Sequence, residues 1–269
     1  MKLSLDSTDY LNIPLIEAHD KPIIFMNTTV IIQARMGATR LPGKVLKRLG
    51  DKTVLAQVIS RVAACPRVNQ IIVATTDSPQ DDAIVQAVTA SQIPYFRGSE
   101  QDVLARYYFA AKTWGATEII VRVTADCPLF DPQLLTQMLD KFDPTTTDYL
   151  SNTMVRSYPQ GLDAEIFTFA TLERAFQQAT ESYQREHVTP YIYQHPELFT
   201  LTNYVGQPDL SQHRWTLDTP EDFDLITKIY DALYPNAPLF TTAQILDLLT
   251  HQPEFIAINQ HIRQKKLGE

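Results

Sequence analysis

The chain has 269 residues, 44% of them hydrophobic, so it can bury one substantial core, and it carries a formal net charge of −8 with a pI near 5.2. That balance leaves no broad basic face of the kind that binds a phosphate backbone, which excludes nucleic acid as an expected partner. Cys65 and Cys127 are too few for a disulfide framework, and no apolar run approaches the roughly 20 residues that span a bilayer, so the expectation is a soluble cytoplasmic protein with no membrane partner.

Residues 1–25 are weakly periodic and read as an N-terminal extension, with Met26 as an alternative start. Val30-Ile31-Ile32 begins a strand that runs into a loop rich in Arg and Lys. Val54 to Val62 has helical spacing, and Gln70 to Ala74 reads as a buried strand. The alternation continues with a helix around Asp81 to Ala90, a strand at Ile93 to Phe96, a helix from Asp102 to Trp114 and a strand at Glu118 to Val123. Strands alternating with helices of about ten residues indicate crossover connections and a mainly parallel sheet. Asp131-Pro132 is an N-cap followed by proline at the first helical position, opening a helix to about Phe142.

From Tyr149 the pattern breaks into short apolar pieces around Pro159 and Gly161, with a strand-like Ala164 to Phe169. The expectation is an excursion from the main sheet near 149–169, in the form of an inserted hairpin. Helices are expected at Ala170 to Thr180 and Glu186 to Gln194, strand pieces near Phe199 to Tyr204 and Arg214 to Leu217, and helix from Pro220 to about Leu249. The fold class is therefore α/β, Rossmann-like, with one domain over 26–250 and a C-terminal tail over 251–269. There are no internal repeats or low-complexity segments.

The loop after the first strand, Gln33-Ala34-Arg35-Met36-Gly37-Ala38-Thr39-Arg40-Leu41-Pro42-Gly43-Lys44, lies where open α/β sheets place ligands. Residues 33–50 hold Arg35, Arg40, Lys44, Lys47 and Arg48 with no acid among them. It is not a Walker loop, because five residues separate Gly37 from Gly43 and Val45 follows Lys44. The dinucleotide glycine fingerprint is absent too. Arginine forks and a mobile lysine can neutralise a triphosphate and its departing pyrophosphate, and glycines let backbone N–H groups approach the oxygens.

The pattern Gln-Ala-Arg-x-x-x-x-Arg-Leu-Pro-Gly-Lys after the first strand resembles the signature of the CMP-sugar synthetase family, in the branch typified by a spore coat polysaccharide biosynthesis protein. Collinear segments extend the resemblance over about residues 28–233: Ala74-Thr75-Thr76-Asp77, Arg97-Gly98-Ser99, Asp102 to Tyr107, Arg122 to Leu129, Gly161 to Glu165, Arg185 to Pro190 and Arg214 to Asp222. The resemblance implies the fold of the nucleotide-diphospho-sugar transferases and transfer of CMP from CTP to a sugar or sugar acid, supplying activated sugar for surface polysaccharide. Arg35, Arg40 and Lys44 are then the catalytic cations, and they bind the nucleotide together with Gln33, Ala34, Gly37, Asp77, Arg97, Gly98 and Ser99.

Asp126 follows a strand end, Asp218 follows the strand-like Arg214 to Leu217, and magnesium takes one or two protein carboxylates and fills its octahedron with water and phosphate oxygens. The resemblance assigns both to Mg2+. Asp218 to Glu221 also reads as a helix cap. Gly161, Asp163 and Glu165, with two carboxylates at i and i+2, and His187, in a pKa range suited to a base, are the acceptor-side candidates. Asp102 and Arg106 have the spacing of a helix-surface ion pair, and Cys127 reads as a small buried residue. Family members are often dimers, so a homodimer is the implied assembly. Two other readings stay open: a metal-dependent glycosyltransferase using a nucleotide sugar, whose Asp-x-Asp motif would have to be Asp222-Phe223-Asp224, and a non-catalytic nucleotide-binding protein.

Overall fold

The computed structural model describes residues 26–264; the expected extension over 1–25 lies outside them. A seven-stranded sheet runs in the order β5-β4-β1-β6-β8-β7-β9. Within it, β1 (Thr28–Gln33) is parallel to β4 (Gln70–Thr76) on one side and β6 (Ile119–Thr124) on the other, with β5 (Tyr95–Gly98) parallel to β4 at the edge. A short hairpin of β2 (Arg48–Leu49) and β3 (Lys52–Thr53) stands apart.

Alternation along β1 builds two cores. Val30 and Ile32 join a cluster with α1 (Val54–Ala63), α2 (Asp82–Ala90), α4 (Pro132–Lys141) and α8 (Pro220–Leu233), whereas Ile31 joins α3 (Val103–Thr113), α5 (Phe169–Gln178) and α7 (Pro190–Tyr193) on the opposite face. Both faces are covered, so the central strands read as continuous apolar runs. Asp131 caps α4 as its sequence predicts, accepting from the Gln133 N–H at 2.8 Å.

Beyond β6 the order differs from expectation. β7 (Tyr149–Ser151) and β8 (Glu165–Thr168) do form an antiparallel pair, but both belong to the main sheet: β8 lies against β6, and β9 (Leu201–Asn203) closes the edge parallel to β7. Only the connection between β7 and β8 leaves the sheet. The helix expected over Glu186 to Gln194 is two pieces, α6 (Ser182–His187) and α7, split at Val188, whose φ is +75°. Pro190, which has no N–H to continue α6, instead opens α7 at its first helical position. Pro235 and Pro238 likewise separate α8 from α9 (Thr242–His251). Arg214 to Leu217 is held by a single bridge, Gln160 to Arg214, rather than by a sheet. Past α9, α10 (Glu254–Ala257) and the buried Asn259 fold back onto this segment, Asn259 donating to the Arg214 carbonyl at 2.9 Å.

Strand order proceeds from β1 outward through β4 to β5 and then returns to β6 on the other side. The crevice beyond the carboxyl ends of β1 and β6 is therefore the switch point where open α/β sheets bind ligands.

Candidate active site

The Arg/Lys-rich loop leaves β1 at that crevice under tight control. The Ala34 N–H still bonds the Ala74 carbonyl, and the Met36 carbonyl accepts from the N–H groups of Ala38 and Gly43, at 2.9 and 3.1 Å. Gly43 sits at φ +67°, which a side chain would strain, and starts the 3-10 turn that aims Lys44 inward. Buried Asp81, missed at the sequence level, fastens the loop to β4: it accepts from the Met36 N–H at 2.8 Å, from both the hydroxyl and N–H of Thr76 at 2.6 and 3.1 Å, and from the Thr75 hydroxyl at 3.0 Å. Burial pushes its carboxyl up, but the bonds from Thr76, Met36 and Thr75 outweigh that and hold it below the ordinary aspartate value.

Each of the three loop cations ends on an acid. The Lys44 ammonium, buried, donates to Asp126 Oδ2 at 2.7 Å, Asp218 Oδ1 at 2.8 Å and the Leu217 carbonyl at 2.8 Å. Burial opposes its charge, yet Asp126 and Asp218 raise its pKa above the ordinary lysine value. Reciprocally, burial works against the Asp126 carboxylate while Lys44 and the Thr124 hydroxyl, at 2.5 Å, hold its pKa down. Arg40 pairs with Asp218 at 3.1 Å, and Arg35 reaches out to Glu100 at 3.2 Å. Asp126 and Asp218 are joined through the backbone as well, the Leu217 N–H bonding the Asp126 carbonyl at 2.8 Å.

Asp218 is not a cap. Thr219 takes that role, in a capping box with Asp222. Asp222 is also fully occupied by Arg214 and Asn259, so the Asp222-Phe223-Asp224 sequence serves helix architecture and not a metal motif. Arg214 in turn donates to Asp218 Oδ2 at 3.0 Å.

A cavity of about 220 Å³ opens beside the two aspartates, lined among others by Arg122, Thr124, Asp163, Glu165 and Thr216. The i and i+2 carboxylates thus face it together. Asp163 is gripped bidentately by Arg156 at 2.6 and 2.9 Å. Glu165 stands opposite Arg122 in the β6–β8 register, is hydrogen-bonded to it, and accepts from the hydroxyls of Tyr149 and Thr189, both at 2.5 Å. Gly161, at φ +102°, brings this connection against the Arg214–Leu217 segment: a Cβ there would lie 2.5 Å from the Trp215 carbonyl carbon. Arg122 and Arg214 were not singled out from sequence as site residues. Gln264 also lines the cavity and bonds Arg214, bringing the C-terminal segment to the site.

The remaining candidates lie elsewhere on the same sheet edge. Arg97 is spent on the β4–α2 connection, donating to the carbonyls of Thr76 and Ser78, each at 2.9 Å, and pairing with Asp82 at 2.7 Å. The Asp77 N–H bonds the Gly98 carbonyl and the Ser99 hydroxyl accepts from the Asp102 N–H, both at 3.0 Å, while the Asp77 side chain is exposed. His187, half-buried at the end of α6, is not among the cavity-lining residues; burial lowers its pKa, with Glu186 pulling it up and Arg122 pushing it down. The expected Asp102–Arg106 pair does not form. Asp102 caps α3 and pairs with Arg185 at 2.6 Å, while buried Arg106 donates to the Ser99 carbonyl at 2.9 Å. Cys127 is buried, and its thiol is pushed well above the ordinary value by that burial and by Asp126. Among the described residues no three His, Cys, Asp or Glu side chains converge as a metal cluster, and no helix is long and apolar enough to cross a membrane.

Comparison with known proteins gives the chain its family. The chain is 40% identical over 244 residues to an uncharacterized protein of Methanocaldococcus jannaschii, covering 89% of this chain and 97% of that one. It is 33% identical over 232 residues to the spore coat polysaccharide biosynthesis protein SpsF of Bacillus subtilis, covering 83% and 94%. A solved cytidylyltransferase from Leptospira borgpetersenii superposes with a TM-score of 0.82 at 33% identity, over 90% of this chain and all of that one. The cytidylyltransferase family model matches residues 29–258, and the chain therefore belongs to the cytidylyltransferase family, enzymes that use CTP to transfer a nucleotidyl group.

Proposed function

We propose that this enzyme transfers CMP from CTP to a hydroxyl of a sugar or sugar acid in the cytoplasm, supplying an activated sugar for surface polysaccharide. A bond forms between the acceptor oxygen and the α-phosphorus, the bond from that phosphorus to the bridging oxygen breaks, and pyrophosphate leaves. The observation that carries the reading is the meeting of Lys44, Arg40, Asp126 and Asp218 at the switch point, next to a polar cavity of monosaccharide scale.

In this reading Arg35, Arg40 and Lys44 take the phosphate oxygens and offset the charge that develops on the departing pyrophosphate. Gln33, Ala34 and Gly37 line the loop's approach to those phosphates, and Asp77, Gly98 and Ser99 face the nucleoside. Arg97 holds the connection after β4 that frames this nucleoside side. Asp126 and Asp218 fit Mg2+: the two carboxylates present oxygens within 2.8 Å of one cationic nitrogen, so they already enclose a point where a positive charge is stabilised by hard donors. When bound there, magnesium supplies Lewis-acid polarisation of phosphate oxygens.

On the acceptor side Asp163 keeps lone pairs for a sugar hydroxyl beyond its two bonds to Arg156. Glu165 has three of its roughly four acceptor sites occupied, so its chief work is to hold Arg122 at the cavity wall. Gly161 sets the position of both. The test is pyrophosphate release measured over four nucleoside triphosphates and a sugar panel with Mg2+. CTP-specific release with at least one sugar is expected, and sugar transfer from a finished nucleotide sugar without pyrophosphate would overturn the assignment.

A further inference from the structure

We infer that Lys44 is a latch on the metal site: in the nucleotide-free enzyme its ammonium occupies the cation position between Asp126 and Asp218, so a divalent ion enters only with the triphosphate that draws Lys44 away. The inference rests on the proposed metal role of the two aspartates and adds an order of assembly to it.

Three observations support it. First, the lysine nitrogen is not a loose neighbour. It is buried, bonded to one oxygen of each carboxylate, and its third donor position is filled by the Leu217 carbonyl, a complete set for an ammonium. Second, the charges are already balanced. Asp126, Asp218 and Asp222 are met by Lys44, Arg40 and Arg214, three acids by three bases, so a further double positive charge has no net field to enter. Third, the lysine is carried on a 3-10 turn that follows a left-handed glycine, within the loop whose other cations would hold the phosphates. A triphosphate bound to that loop offers the ammonium new anionic partners and leaves the aspartate oxygens to the metal. Magnesium and nucleotide then bind cooperatively by electrostatics alone, because each removes what hinders the other.

The test is Mn2+ binding measured by electron paramagnetic resonance, without turnover, on wild type, Lys44→Met and Lys44→Arg, each first shown by circular dichroism to melt cooperatively. Without nucleotide, Lys44→Met is expected to bind Mn2+ at least tenfold tighter than wild type, because half-buried Asp126 loses its cation and the oxygen of Asp218 that Lys44 held is freed, while Arg40 and Arg214 stay on the other. Lys44→Arg, which keeps the charge, stays as weak as wild type. Should the methionine variant lose its fold, lysine side-chain 15N NMR on wild type gives the same answer: the hydrogen-bonded Lys44 ammonium signal persists in millimolar Mg2+ and shifts when CTP is added with Mg2+. Equal Mn2+ affinity of wild type and Lys44→Met, or displacement of the ammonium signal by Mg2+ alone, overturns the latch while leaving the metal site standing. No Mn2+ bound by any form even with CTP present overturns the metal site itself.

Discussion

Asp81 lies outside every motif quoted from the sequence, yet the Arg/Lys-rich loop after β1 hangs on it, and Asp81→Asn measures how much. The carboxylate accepts four hydrogen bonds, one at Oδ1 from the Met36 N–H and three at Oδ2 from Thr75 and Thr76. In the amide, the oxygen can keep Met36, but an NH2 group replaces the triply bonded oxygen. The two threonine hydroxyls can rotate to accept from it. The Thr76 N–H cannot, and is left buried without an acceptor at a cost of about 1–3 kcal/mol. Loss of charge assistance at Met36 adds about 1 kcal/mol, giving about 3 kcal/mol in all. At roughly 2–4 °C per kcal/mol for a chain of this size, the melting temperature should fall by about 6–12 °C. Loosening the Met36 tether by about 1 kcal/mol should raise the CTP KM roughly fivefold with a smaller change in kcat. The pH dependence has a definite sign. The folded carboxyl titrates below its unfolded value, so its stabilisation is present above the unfolded pKa and is lost as pH falls through the folded one. The gap between wild type and Asp81→Asn should therefore be full at neutral pH and close as acid is added below about 4. An unchanged melting temperature at pH 7, or a gap that widens in acid, would refute the tether.

Asp126→Asn should keep the fold and reduce pyrophosphate release by roughly 10²–10³, the scale of losing one electrostatic group at a reacting phosphate; near-normal turnover in a steady-state pyrophosphate assay would remove Asp126 from the site. Gly161→Ala forces a Cβ to within 2.5 Å of the Trp215 backbone at a φ of +102°, so urea unfolding should show a loss of about 3 kcal/mol, and a midpoint equal to wild type would contradict the close approach. Because burial and Asp126 keep the Cys127 thiol protonated, iodoacetamide at pH 8 should leave it unmodified in the native enzyme and label it after unfolding; mass spectrometry showing prompt native labelling at this residue would count against that environment.

What the sequence could reveal follows from how local each signal is. Periodicity marked β1, β4, β5 and β6 and the helices between them, because a parallel sheet buried on both faces writes itself as apolar runs alternating with amphipathic helices. The same approach misplaced β7, since a three-residue strand carries almost no period of its own and its sheet membership depends on pairing with β8 and β9. Short-range spacing misled at Asp102, where an i, i+4 pairing with Arg106 lost to Arg185, 83 residues away, because Arg106 is buried beneath Ser99. The break before Pro190 was readable in principle, because proline has no N–H to continue a helix and favours the first position of the next one.

The carboxylates show why strand ends predict better than strand interiors. Asp126 follows a strand whose direction is dictated by the parallel sheet, which puts it at the crevice where the family resemblance expects a metal ligand. Asp218 was assigned on the same argument, although its segment is no strand; it reaches the crevice because Leu217 bonds the Asp126 carbonyl, Arg214 is anchored on Asp222, and Gly161 lets the neighbouring chain approach. Arg214 and Asp222 are only 8 positions apart, but the Leu217 and Gly161 contacts join distant parts of the chain, the second resting on a missing side chain, and no short window contains them. Glu165 is the opposite case. Its proximity to Arg122 is a matter of strand register, which places one residue of β8 against one of β6, and a shift of a single residue would turn the carboxylate to the other face of the sheet. The side of the crevice with Arg122 and Glu165 therefore depends on the antiparallel strand that sequence periodicity placed outside the sheet, whereas the Arg/Lys-rich loop depends on the parallel strands that periodicity marks most strongly.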